Sequence, residues 1–226
     1  MTAVSRRLLL ALPAVAMAAA IVRPAFALSD PQQLVESSRI SFLDMIGDAG
    51  YDEMRRYVKQ SHALLIFPQL VKGAFIIGGE GGSGVLVARG ASGWSYPAFY
   101  TLASGSLGLQ IGGQVAEMVL TIMSGKALDA LIDNQFKIGG NMDVAAGPVG
   151  KGLSASTTTN LSADAYSFAK TQGLYGGLSL EGAGILKRDS WNAEYYGNGA
   201  TPNGIVKDGR NSNKNAAGLL SALAPY

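Results

Sequence analysis

Apolar and polar positions divide the chain into a helical opening, a strand-rich middle and a helical close. Asp30-Pro31 places a capping acid before a proline at the first helical position, a good helix start. At 100° per residue, Leu34, Val35, Phe42, Leu43, Met45 and Ile46 fall on one half of that helix. Gln33, Ser37, Ser41 and Asp44 fall opposite. The pattern predicts an amphipathic helix over residues 30–46, ending near Gly47, and a second short helix over residues 52–60.

The texture then changes to short apolar runs punctuated by Gly or Pro, the strand signal. Ala63-Leu64-Leu65-Ile66-Phe67 ends at Pro68, Ala74-Phe75-Ile76-Ile77 ends in Gly78-Gly79, and Val85-Leu86-Val87-Ala88 ends at Gly90. Leu107, Leu109 and Ile111 alternate with Gly108 and Gln110. Residues 115–123 form a longer, nearly continuous apolar run that suits a strand buried on both faces. Residues 126–133 read as a helical insertion, with Ala127, Leu128 and Leu131 on one face. Further strands are expected at 141–146, 166–170, 174–180 and 184–188, a helical turn at 190–196, a polar loop over 198–215 and a closing helix at 216–223. The expected fold class is α+β: an antiparallel, Gly-rich β-sheet or barrel-like core with N-terminal helices and a short C-terminal helix.

The first 27 residues change the picture of where this fold works. Arg6 and Arg7 precede an uncharged run from Leu8 to Val22, and Ala25-Phe26-Ala27 gives a small-x-small cleavage pattern. The segment reads as a secretory signal cleaved after Ala27, leaving one domain over residues 28–226. Ser5-Arg6-Arg7-Leu8-Leu9 also fits a twin-arginine signal, so the expected location is the periplasm. The signal holds three Arg and no acid, which leaves 15 basic and 16 acidic residues in the rest. The basic balance therefore belongs to the signal, and the working domain has no nucleic-acid footprint.

The absence of cysteine excludes disulfides, thiol catalysis and cysteine metal sites together. Gly79-Glu80-Gly81-Gly82-Ser83-Gly84 spells G-x-G-x-x-G, but a second strand follows where a dinucleotide site needs a helix. The glycines are expected to form a hairpin bend. His62 is the only histidine, with nothing clustered around it, and reads as a turn or edge residue. No constellation asks for catalysis, a metal or a cofactor. The candidate lipid-contacting residues are basic: Arg55, Arg56 and Lys59 share a helix face at i, i+1 and i+4, and Lys72 and Arg89 flank the first hairpin. The plainer reading is a solvated face on which Asp52 pairs with Arg56 at i+4.

From His62 onward the residues also resemble a known family. The stretches are Ala63-Leu64-Leu65-Ile66-Phe67-Pro68, Gly73-Ala74-Phe75, Gly78-Gly79-Glu80-Gly81-Gly82-Ser83-Gly84-Val85 and Gly93-Trp94-Ser95-Tyr96-Pro97-Ala98-Phe99. Leu107-Gly108-Leu109-Gln110-Ile111-Gly112, Ala145-Ala146-Gly147-Pro148-Val149-Gly150, Gly173-Leu174-Tyr175-Gly176-Gly177, Leu180-Glu181-Gly182 and Tyr195-Tyr196-Gly197 follow in order. Together they resemble the SYLF domain family, lipid-binding modules also named for an actin-binding domain in fungal members. The resemblance implies a non-enzymatic module that binds membrane lipids, with the N-terminal amphipathic helix contributing lipid contact. That helix holds Arg39 as its only base against Asp30, Glu36 and Asp44. Actin and phosphoinositides do not belong to a periplasm, so the expected partner is an anionic membrane lipid. The alternative is an envelope protein that meets exposed aromatics such as Trp94 and Tyr96. An outer-membrane barrel would need alternating segments of about ten residues, which the strands do not supply.

Overall fold

A strand covered on both faces reads as a continuous apolar run, and that is how the middle of this chain is built. The computed structural model describes residues 30–74, 77–107, 114–133, 136–140, 142–149, 163–172, 180 and 182–226. It opens with α1 (Asp30–Gly47), a single 3-10 turn and α2 (Asp52–Gln60). The strands β1 (Ala63–Ala74), β2 (Ile77–Gly90), β3 (Gly93–Trp94), β4 (Ala98–Leu107) and β5 (Gln114–Ile122) follow. Next come α3 (Gly125–Asp133), β6 (Phe136–Lys137), β7 (Val144–Ala146), β8 (Ala165–Gln172) and β9 (Gly184–Lys187). The close is helical, with α4 (Asp189–Tyr196), α5 (Pro202–Val206) and α6 (Ala217–Leu223). Among the described residues the strand order is β6-β9-β4-β2-β1-β5-β8-β7, with β3 on the end of β2. The pairs are antiparallel except β7 with β8. The fold is thus α+β, with a mostly antiparallel sheet curled into a half-barrel.

Alternation along the strands feeds two cores. Leu64, Ile66, Val85, Val87 and Val119 meet Phe42, Met45, Met54, Val58 and Leu219 from the terminal helices. Leu65, Phe67, Leu86, Met118 and Leu120 face the other way, toward Leu131 of α3 and Ile205 of α5. Each such fully buried side chain contributes about 1.5–3 kcal/mol relative to exposure, so the sheet is stabilised from both sides without staples.

Three expectations are corrected. Pro68 does not end β1, because it sits in an irregularity between Phe67 and Leu70, where a missing N–H is tolerated. Gly79–Gly84 is not a hairpin bend: β2 runs through it, pairing with β1 on one side and β4 on the other. The reason is close approach, since a Cβ at Gly84 would lie 2.6 Å from the Ile66 carbonyl oxygen. Within the expected loop 198–215, Thr201 caps α5 by accepting from the Gly204 N–H at 3.2 Å, with Pro202 in the first turn. The strand expected at 174–180 lies outside the described residues except Leu180, as do residues 108–113 of the expected alternating run, the signal, and Phe75-Ile76 of the expected strand at 74–77.

The first helix is rotated from its expected setting. Ser38 and Ser41 are buried alongside Val35, Phe42 and Met45, while Leu43 is 41% and Ile40 55% exposed. Small hydroxyl residues let α1 lie close over β1 and β2, its neighbours in the sheet.

Candidate lipid-binding surface

The second helix is amphipathic because Met54 and Val58 enter the core while Arg56, Lys59 and Gln60 stay in water. Its charges pair at i+3. Arg55 donates to Asp52 at 2.6 Å, and Arg56 Nη2 lies 2.8 Å from Glu53. The expected i+4 pair of Asp52 with Arg56 is thus replaced, because Asp52 and Glu53 each reach a different arginine one turn on. Both pairs are solvent-exposed, the class worth about 0–1 kcal/mol, so either guanidinium can exchange a carboxylate for a phosphate at little cost. Lys59 makes no ion pair among the described residues.

Arg56 also lines a cleft of about 400 Å³ with Tyr57, Gln60, Ser124, Asp164 and Tyr166. Its guanidinium lies 5.1 Å from the Tyr57 ring centroid, and the Tyr57 ring packs tilted against Tyr166, with centroids 4.5 Å apart. Half-buried tyrosines beside a cationic rim suit a headgroup boundary, where one end is apolar and the other wet.

The other two candidate cations separate from this face. Lys72 pairs by its backbone with Glu80 and Gln114, roughly 30 Å of strand from Ala63, and its side chain lies outside the described residues. Arg89 is spent internally. It donates to the backbone oxygens of Val58 at 3.0 Å, Ser61 at 3.2 Å and Tyr226 at 2.9 Å, and lies over Trp94 at 4.3 Å. It thereby caps the C-terminus of α2 and ties it to the last residue. Arg89→Ala is expected to cost about 2–3 kcal/mol in thermal or urea unfolding, because three carbonyls lose a charged donor. Arg89→Lys should recover little, lacking the planar fork. Lipid affinity of the folded variant should stay at the wild-type value in a vesicle titration.

The aromatics expected to meet a partner are also engaged. Trp94 Nε1 donates to the Leu223 carbonyl at 3.0 Å, and Tyr96 packs half-buried against both cores. The apolar stripe of α1 lies in the core, which leaves Ile40 and Leu43 as the exposed large apolar residues of that helix. His62 is an exposed residue at the start of β1, as expected.

The shifted groups elsewhere are structural. Burial pushes the phenols of Tyr100 and Tyr196 far up and that of Tyr195 up to about 12. Tyr100 donates to the Leu131 carbonyl and Tyr196 to that of Pro97. The Lys170 ammonium is held up by its hydrogen bond to Asp44 and a second to Asp48. Among the described residues no group of three His, Asp or Glu side chains is placed to hold a metal ion. No described helix is long and apolar enough to cross a membrane.

Sequence reasoning missed Asn192, which is fully buried and serves the backbone of β4, and Glu117, a strand carboxylate with one oxygen buried and unbonded. Neither stands out in a linear pattern, because the groups that define each lie on other elements.

A family model described as Ysc84, Las17-binding protein actin regulator, matches residues 103–226. SH3 domain-containing YSC84-like protein 1 of Xenopus laevis is 35% identical over 130 residues, which is 57% of this chain and 39% of that protein. The Homo sapiens protein of the same name is 33% identical over 129 residues, 56% of this chain and 38% of that protein. Protein YSC84 of Saccharomyces cerevisiae is 33% identical over 153 residues, 66% of this chain and 32% of that protein. The chain thus spans less than two fifths of the length of these relatives. The basic face of α2 precedes the residues matched by the family model, so its reading rests on geometry alone.

Proposed function

The chain belongs to the Ysc84 (SYLF) family of non-catalytic binding domains, and on that premise we propose an exported, non-enzymatic module that binds anionic phospholipid in the periplasm. The N-terminal signal features support the location: the arginine pair, the short apolar run and the small-x-small site. The observation that carries the lipid reading is the α2 face. Arg55 and Arg56 hold only exposed ion pairs, Lys59 holds none among the described residues, and Arg56 rims a tyrosine-lined cleft. Each base at an anionic surface contributes about 1 kcal/mol, falling off within a Debye length.

The test is a titration with phosphatidylglycerol or cardiolipin vesicles. Neutralising Arg55, Arg56 and Lys59 together to Gln is expected to weaken binding at low salt by roughly a hundredfold, the equivalent of about 3 kcal/mol. It should also flatten the salt dependence. Unchanged affinity and an unchanged salt slope would remove α2 from the account. The alternative is an envelope protein–protein contact, favoured by the family model's description as a Las17-binding protein. A pull-down that recovers one stoichiometric partner, with no vesicle binding, would favour it.

A further inference from the structure

An asparagine side-chain amide is attacked most readily by the next backbone nitrogen when that residue is glycine, which has no Cβ to hinder the approach. The chain holds two such pairs, Asn198-Gly199 and Asn203-Gly204. Their local chemistry is the same and their surroundings are opposite.

Asn198 is exposed in the turn between α4 and α5. Neither its side chain nor the Gly199 N–H has a hydrogen-bond partner among the described residues. Gly197 and Gly199 flank it at φ of 98° and 85°, and a Cβ at either would meet nothing within 4 Å. One bond of 3.3 Å, from the Ala200 N–H to the Gly197 carbonyl, closes the turn. Little therefore opposes rotation of the Asn198–Gly199 peptide until its nitrogen faces the carboxamide.

Asn203 is held. It lies in α5, where its carbonyl accepts from the Lys207 N–H at 3.0 Å and the Asp208 N–H at 3.1 Å. Its Nδ2 donates to the Asp208 carboxylate at 3.2 Å. The Gly204 N–H is spent on the Thr201 hydroxyl at 3.2 Å, and a Cβ at Gly204 would lie 3.1 Å from Asn211 Oδ1. Reaction at this pair requires α5 to unwind.

We propose that Asn198 is a site of spontaneous deamidation in the folded protein, with water as the co-reactant, and that α5 protects Asn203. Base removes the Gly199 amide proton, and the nitrogen attacks Asn198 Cγ to form a succinimide. The Cγ–Nδ2 bond breaks, and the departing amide takes up a proton and leaves as ammonia. Water then opens the ring at either carbonyl carbon, placing its hydroxyl on that carbon and a proton on the ring nitrogen. Aspartate or isoaspartate is left at position 198. Each event replaces a neutral amide with a carboxylate beside a cleft of about 510 Å³, which Gly199 lines together with Asp133, Asp189 and Lys187. The isoaspartate product also adds a carbon to the main chain between α4 and α5.

Incubation of the purified protein in heavy-oxygen water, followed by digestion in mild acid and peptide mass spectrometry, tests this. Position 198 is expected to gain the deamidation mass together with a solvent oxygen, roughly tenfold or more faster than position 203. The rate should rise with pH, because the attacking nitrogen must lose its proton. In strong denaturant the two rates should converge to within about threefold, since the protection of Asn203 is structural. Asn198→Gln should remove the native-state signal and leave the melting temperature unchanged. Equal rates in the native protein, faster conversion of Asn203, no conversion of Asn198, or the same inequality persisting in denaturant would each overturn the proposal. The comparison of the two positions is made on the unmodified chain and stands whatever the variant does.

Discussion

Gly82→Ala is expected to destabilise the protein by about 3 kcal/mol or more, the upper range for forcing atoms into a packed site. A Cβ at Gly82 would lie 2.1 Å from the Gln69 carbonyl oxygen and 2.9 Å from Leu70 Cδ2. The first is backbone, held by the irregularity that carries β1 past Pro68, so no rotamer change relieves it. Gly84→Ala should behave alike, with its Cβ 2.5 Å from the Phe67 ring and 2.6 Å from the Ile66 carbonyl oxygen. For a domain of this size the loss corresponds to a fall in melting temperature on the order of 10 °C. Gly125→Ala is the control: it begins α3, nothing lies within 4 Å of its Cβ, and the change should be neutral or slightly stabilising. Equal melting temperatures for the three variants would contradict the close approach of β1 and β2.

Asn192→Leu is expected to cost about 2–3 kcal/mol, the penalty for a buried donor left without an acceptor. Asn192 Oδ1 accepts from the Phe99 N–H at 2.9 Å, completing the outer edge of β4 just where β9 stops pairing with it. The Phe99 carbonyl keeps a bond from the Arg188 N–H at 2.9 Å, so the loss concentrates on one N–H. Asn192→Asp should be as harmful or worse, because it brings a charge into a fully buried position. Faster hydrogen exchange at the Phe99 amide, with little effect from Asn198→Leu on the exposed turn, would identify the mechanism.

The parts of the fold legible in the sequence are those with a local cause. The apolar spacing of Met54 and Val58, and the run through Met118, Val119 and Leu120, depend only on period and burial. Pro68 and the glycines of β2 were misleading because their meaning is set by a neighbouring strand. Glycine in a turn and glycine under a bulge look alike in one dimension. α1 kept its bounds but not its facing, since two serines entered the core where Leu43 was expected.

The candidate site divides along the same line. Arg55, Arg56 and Lys59 share a face because helical spacing is local. Arg89 looked like another surface base, yet its partners at Val58 and Tyr226 are 31 and 137 residues away. Glu117 is set apart by another element, because its cross-strand partner Lys170 turns toward Asp44 of α1. Arg89 is brought to the end of α2 by the pairing of β2 with β1, Ala88 opposite Ala63, which no linear motif encodes.

Co-sedimentation of the purified protein with phosphatidylglycerol vesicles, at low and high salt and beside phosphatidylcholine vesicles, tests the central reading most directly. The account predicts protein in the phosphatidylglycerol pellet at low salt, a marked loss from it at high salt, and little in the phosphatidylcholine pellet in either condition. Protein that stays in the supernatant with phosphatidylglycerol at both salt concentrations would contradict it.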